Sequence, residues 1–289
     1  MTRIACSTYS FNQLISKGEI SQLESLQLAK EMGFDAIEIV DLIHDESIVE
    51  RDYVYQLKKE LERLNFPIAS FTFHANLLHE DAEKTHLEIK RIKKMIDYAE
   101  ILGAKRIRHD VAWGQSKKSF DIVLPDLALA CRTITEYAAN KQIITMVENH
   151  GFFVQDSDRM EKLYNQVHHP NFKLLIDVGN FLCVDESPVH AVSRLAPFAE
   201  YVHIKDFHVK SGREAAPGEG FFQTRGGNFL RGAIIGHGNV PLTQCFNSLK
   251  NSGYQGDVAI EFEGMEDNRE GIRISLENVR KQLFEYLQK

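Results

Sequence analysis

Short apolar or β-branched runs alternate along the chain with longer segments of helical periodicity, and the alternation holds to the end. The runs predict strands at Ile4–Thr8, Ala36–Val40, Ile68–Phe73, Arg106–His109, Ile143–Glu148, Lys173–Asp177, Tyr201–Lys205 and Val258–Phe262. Between them the spacing predicts helices at Ile20–Met32, Glu50–Leu64, Asp81–Leu102, Asp121–Asn140, Ser157–Val167, Pro188–Pro197 and Leu242–Asn251, and a last one from Glu270 to Leu287. In the first of these, Leu23, Leu26, Ala29 and Lys30 recur at helical spacing, and Gly33 follows as a stop. Leu102-Gly103 and Ser252-Gly253 end other helices in the same way.

Eight strand–helix units without a long break predict a closed parallel (β/α)8 barrel, one domain over residues 1–289. The alternative is an open doubly wound sheet, which would carry a glycine-rich phosphate turn after its first strand. The residues there are Ser7, Thr8, Tyr9, Ser10 and Phe11, with no such turn. One stretch breaks the rhythm: Lys210–Asn239, rich in glycine and mixing charge with Phe221, Phe222 and Phe229. A connection of that length after a barrel strand emerges at the catalytic face and is expected to fold over the site as a lid.

Composition narrows the function classes. The 289 residues include 34 basic and 41 acidic side chains, a formal charge of −7, which leaves no electrostatic footprint for nucleic acid. Hydrophobic residues make up 43% of the chain, yet no apolar run approaches the roughly 20 residues needed to span a bilayer, so no membrane role is expected. Cys6, Cys131, Cys183 and Cys245 are far apart and form neither a disulfide framework nor a thiolate metal motif. The start lacks a basic and then apolar leader, and a reducing cytoplasm is the expected compartment.

In a barrel the C-terminal ends of the strands converge on the catalytic mouth, so polar residues that end apolar strands carry the information. Strand 5 runs into Glu148, strand 6 into Asp177, strand 7 carries His203 and strand 8 runs into Glu261. Any one alone reads as a helix cap or an ion-pair partner. Together, three carboxylates at one mouth repel strongly unless a cation or protonation compensates them. Three carboxylates and one imidazole suit one divalent ion with open positions. Mn2+ heads the candidates, followed by Mg2+, Co2+, Fe2+ or Zn2+.

The segments around these residues are MVENHG at Glu148, LLIDVGN at Asp177, YVHIKD from His203 to Asp206, GHGNVPL at Gly236–Leu242 and GYQGDVAIEFEG at Glu261. With them the whole chain resembles the xylose-isomerase-like superfamily of sugar phosphate isomerases and epimerases, which also includes inosose dehydratases, hydroxypyruvate isomerases and endonuclease IV. The resemblance implies that Glu148, Asp177, His203 and Glu261 hold the metal. It further implies that Glu148 and Glu261 are the catalytic acid/base pair, moving protons on opposite faces of a substrate carbon through a metal-stabilised enediolate. The implied substrate is a small keto-sugar or keto-polyol, and a homo-oligomer is compatible with it, since relatives often form dimers or tetramers. Two departures bear on the substrate: Asn180 stands where many relatives place a histidine, and His237 where several place Glu or Arg.

Other residues are expected at the substrate. His74 ends strand 3 and His109 ends strand 4, with Asp110 beside it. Lys205 shares the face of His203 on strand 7, Glu263 competes with Glu261 for the last ligand position, and His150 follows Glu148 closely. Arg225 and Arg231 in the long connection could meet a phosphate, a carboxylate or a partner subunit, although loop arginines are usually just solvated. The expected activity is thus isomerisation or epimerisation. The alternative is a lyase on the same scaffold, dehydrating a keto-inositol or cleaving a 3-keto-glycoside, with His74 or His109 as an extra proton donor. Endonuclease-type repair is disfavoured by the charge and the ligand count, and a catalytically silent binding protein by the intact Glu148 and Glu261.

Overall fold

The computed structural model describes residues 2–114 and 116–286. Eight parallel strands close into a barrel: β1 (Ile4–Ser7), β2 (Ala36–Val40), β3 (Ile68–Phe73), β4 (Arg106–His109), β5 (Ile144–Glu148), β6 (Phe172–Asp177), β7 (Ala199–Ile204) and, last around the ring, Asp257–Ile260. The chain is a single-domain (β/α)8 barrel, as its alternating pattern predicts. Helices alternate with the strands: α1 (Asn12–Ser16), α2 (Gln22–Glu31), α3 (Glu50–Arg63), α4 (Ala82–Leu102), α5 (Phe120–Ala139), α6 (Ser157–Val167), α7 (Pro188–Leu195), α8 (Leu242–Asn251) and α9 (Asn268–Tyr286). The expected last residue of α9, Leu287, lies outside the described residues. No described helix is long and apolar enough to cross a membrane.

Local chemistry sets the helix ends. At the start of α2, Ser21 Oγ accepts from the Glu24 amide while Glu24 Oε2 accepts from the Ser21 amide at 2.6 Å, a reciprocal cap. At the end of α4, Gly103 takes φ 81°, a left-handed turn that a side chain would strain.

The strands bury two faces. Outward residues such as Ile37, Phe71, Ile107, Val147 and Ile176 pack under the helices. Inward, the alanines Ala5, Ala36, Ala69 and Ala259 face the larger Met146, Leu175 and Tyr201, so small and large side chains fill the lower barrel in turn. Above that plug the inward positions become polar, and that change of composition creates the site.

The connection after β7 carries structure of its own, a three-stranded antiparallel sheet of β8 (Asp206–Lys210), β9 (Phe222–Gln223) and β10 (Phe229–Ala233), in the order β8-β10-β9; the last barrel strand is therefore β11 (Asp257–Ile260). Asp185 pins the tip of this hairpin, accepting from the Gly226 amide, Thr224 Oγ1 and Asn228 Nδ2. At its base Gly232 bridges to Gly264, where an added Cβ would stand 1.9 Å from the Glu263 carbonyl oxygen. Asp206 ties down the following turn by accepting from the amides of Gly236, Gly238 and Val240.

The opposite end of the barrel is closed by ion pairs. Asp257 meets Arg3 at 2.6 Å and Arg106 at 3.2 Å, and Arg106 also meets Glu200 at 2.7 Å, linking β1, β4, β7 and β11. Burial opposes ionisation of Asp257, but the hydrogen bond and charge of Arg3, with Arg106, hold its carboxyl below the usual range. A carboxyl so lowered contributes stability above its unfolded value near pH 4 and loses it as pH falls through the folded value. Asp257→Asn should therefore cost about 1–3 kcal/mol at pH 7, measured by urea unfolding, because it takes the ion-pair partner from Arg3 and leaves Arg106 with Glu200 alone. The difference from wild type should shrink below about pH 4.

Candidate active site

At the polar end of the barrel, Glu148, Asp177, His203 and Glu261 each offer one ligand atom, and those atoms all lie within 4.8 Å of one another. All four are buried. His203 Nδ1 stands 3.8 Å from Glu148 Oε1, 4.0 Å from Asp177 Oδ2 and 3.7 Å from Glu261 Oε2. These distances are too long for hydrogen bonds and right for atoms that share a centre. His203 Nδ1 and Asp177 Oδ2 have no hydrogen-bond partner although they are buried. Buried polar atoms are normally satisfied, so two orphans aimed at one point fit a divalent ion held between three oxygens and one nitrogen.

The neighbours hold these four in place. Asn149 Nδ2 donates to the Asp177 carbonyl and its Oδ1 accepts from the Asp177 amide, joining the ends of β5 and β6. Asp177 Oδ1 accepts from the amides of Gly179 and Asn180, which leaves only Oδ2 for the centre. On the far side of His203, Nε2 meets Glu38 Oε2 at 2.9 Å. That bond fixes the ring and keeps a proton on Nε2, so Nδ1 is the nitrogen presented to a ligand. Both Glu148 oxygens are engaged: Asn180 Nδ2 donates to Oε1 at 2.9 Å, and Arg108 Nη2 lies 2.6 Å from Oε2. Glu261 Oε2 instead meets Lys205 Nζ at 2.6 Å.

Within the protein, the crowded negative charge is compensated by Lys205, Arg108 and protons. Burial first, and then Glu148 and Glu261, push the Asp177 carboxyl up to about 7 despite Lys205. Burial alone would lower His203, yet Glu38 and Glu261 hold it well above its usual range. A doubly charged ion would displace such protons, because its ligands must be deprotonated.

Several expected residues meet here. Lys205 is buried and reaches Glu261, Glu263 at 3.2 Å, Asp177 at 3.6 Å and Asn180 Oδ1 at 3.4 Å. Asn180 bridges Glu148 and Lys205. Glu261 completes the four, while Glu263 sits half-exposed outside them, with Tyr9 and Lys205.

His74 lies at the rim, its Nδ1 3.2 Å from Asp110 Oδ2 and its Nε2 3.3 Å from Asp41. The Asp110 hydrogen bond raises its pKa against the effect of burial. His150 shares the same aspartate, with Nδ1 2.8 Å from Asp110 Oδ1, and its ring stands edge-on to exposed Trp113. Asp110 is buried, which alone would raise it, but Arg108 and the two histidines hold it well below the carboxylate range.

The structure does not bring His109 or His237 to the cluster. Arg106 and Arg108 face the barrel interior, so strand alternation turns His109 outward with Ile107, beneath the helices. It is fully buried there, its Nδ1 on the Asp110 carbonyl, and burial pushes its pKa down to about 4. His237 is exposed on the turn that Asp206 anchors.

Sequence reasoning missed Glu38 and Arg108. Each carried a signal: Glu38 is a charge between isoleucines in a buried strand, and Arg108 alternates with Ile107.

Residues 26–282 match the family model described as xylose isomerase-like TIM barrel. An inosose dehydratase of Bacillus anthracis is 28% identical over 222 residues, covering 72% of each chain. Among solved structures, the IOLI protein with a bound zinc atom superposes with a TM-score of 0.78 at 17% identity, covering 100% of both chains. An L-ribulose 3-epimerase superposes with a TM-score of 0.76 at 15% identity, covering 100% of this chain and 96% of the other. The protein belongs to the xylose isomerase-like TIM-barrel family.

Proposed function

We propose that this protein is a divalent-metal enzyme that moves a proton at the carbon beside the carbonyl of a keto-sugar or keto-polyol, as an isomerase or epimerase. The observation that carries the reading is the convergence of Glu148, Asp177, His203 and Glu261 on one point, with two buried orphan atoms aimed at it. An ion held by these four, Mn2+ being well suited to the oxygen-rich set, would supply Lewis-acid charge to the carbonyl and hydroxyl oxygens of the substrate.

The chain's own residues divide the remaining work. Glu261 removes or returns the proton, with Lys205 beside it ready to donate a hydrogen bond to a substrate oxygen. Glu148 exchanges protons on the opposite face, and Asn180 and Arg108 fix its orientation. The alanine and aromatic plug beneath keeps water from reaching the site from below.

The matching experiment incubates metal-loaded protein with a panel of keto-sugars and keto-polyols in D2O. Deuterium should enter one carbon, and Glu261→Gln and Glu148→Gln should each slow that exchange by roughly 10²–10⁴-fold, the usual worth of a positioned acid or base. Full exchange in a variant that still binds its metal would remove that glutamate from the proton transfer.

A second reading, elimination by a lyase, is favoured by one observation: His74 and His150 share buried Asp110 at the rim and present a proton donor for a leaving group. The dehydratase relatives are consistent with it. Under this reading the double variant His74→Gln/His150→Gln releases product about 10²-fold more slowly while deuterium exchange persists. Under epimerisation, no dehydrated or cleaved product forms in either protein.

A further inference from the structure

A cavity of about 720 Å³ is bounded by residues of the loop before α5, the loop after β5 and the tip of the hairpin. Its charge is opposite to that of the chain. Lys117, Lys118, Arg159 and Arg225 line it, in a protein of net charge −7. Asp156 answers part of this charge, meeting Arg225 Nη1 at 2.5 Å and Arg159 Nε at 3.5 Å. Lys117 and Lys118 are exposed and make no ion pair among the described residues.

The two arginines are held rather than free. Arg159 lies over the rings of Phe120 and Phe153, at 5.6 and 5.4 Å, and donates to the Phe153 carbonyl at 2.6 Å. Arg225 donates to the Phe152 carbonyl, and the hairpin that carries it is pinned by Asp185. Each guanidinium has five donors in a fixed fork, so N–H groups remain after these bonds. The cavity also meets the start of α5, where Ser119 caps the helix without a side-chain hydrogen bond, and the positive end of a 20-residue helix adds to the field.

A run of hydrogen bonds joins the cavity wall to the cluster. The Phe152 amide donates to Gln155 Oε1 at 2.6 Å, Gln155 Nε2 donates to the Asn180 carbonyl at 2.6 Å, and Asn180 holds Glu148.

We propose that this cavity is an oxyanion-binding site, taking the phosphate or carboxylate group of a small molecule. Its two arginines are preorganised, Arg159 on aromatic rings and a backbone carbonyl and Arg225 on a backbone carbonyl, the exposed Lys117 and Lys118 add charge, and its phenylalanines pack against the body of the ligand. The oxyanion is either the far end of the substrate or a free anion, and the chemistry of recognition is the same for both.

Calorimetric titration with inorganic phosphate at low ionic strength tests the site without any turnover. A failure here is therefore separate from a failure of the catalytic reading. Wild-type protein should bind phosphate, more weakly as salt rises. Lys117→Gln/Lys118→Gln should bind at least tenfold more weakly, while Lys250→Gln, on α8, should bind as wild type. If phosphate does not bind, or binds the double variant as tightly as wild type, the proposal falls. A phosphorylated keto-sugar that competes with phosphate identifies the substrate's own end as the occupant. Phosphate binding that such a sugar leaves untouched identifies a free anion.

Discussion

Three carboxylates drawn to within a few ångströms of one another, inside a closed ring of strands, form the constraint on which the upper half of this barrel is built. Like charges in a buried site raise one another's energy by several kcal/mol unless something offsets them. Here the offset comes from three cationic groups: Lys205 rises from the end of β7 against Glu261, Arg108 crosses from β4 to Glu148, and His203 stands between the acids, its ring held from β2 by a fourth buried carboxylate, Glu38. Six strands therefore contribute to one electrostatic balance, and the positions that contribute follow from the pleat. The same alternation that buries Ile107 and Val147 beneath helices turns Arg108 and Glu148 inward.

The balance explains the asymmetry between the two glutamates. Glu148 has both oxygens occupied, one by an amide and one by a guanidinium, and is held rigidly. Glu261 meets Lys205 through one oxygen, and that buried lysine also reaches Glu263, Asp177 and Asn180. The hairpin after β7 adds a second layer. It is anchored on Asp185 and against Gly264, and it carries Arg225 to the wall of the cavity it shares with Lys117, Lys118 and Arg159.

The fold was legible because barrel strands and helices leave separate periodicities, and every predicted strand lies within two residues of an observed one. Asp177 and Glu261 were legible for a sharper reason: each interrupts an apolar strand at the end that faces the mouth. The parity of β4 was not legible. Arg106, Arg108 and His109 are all polar, and only the register, with Arg108 opposite Met146 and His109 opposite Val147, decides which face points inward. Glu38 was hidden because it lies within its strand rather than beyond it. The hairpin was read as a loop because β9 has two residues and β10 contains a glycine, too little for period-two alternation to register.

The central claim is that Glu148, Asp177, His203 and Glu261 together hold one divalent ion, and metal stoichiometry tests it most directly. Protein dialysed against Mn2+ or Zn2+ and then freed of excess metal should retain one ion per chain by elemental analysis. Asp177→Asn, with its fold confirmed by circular dichroism, should retain none, since it removes a buried ligand oxygen that has no hydrogen-bond partner. Wild-type protein that holds no metal, or an Asp177→Asn variant that keeps its ion, would contradict the account.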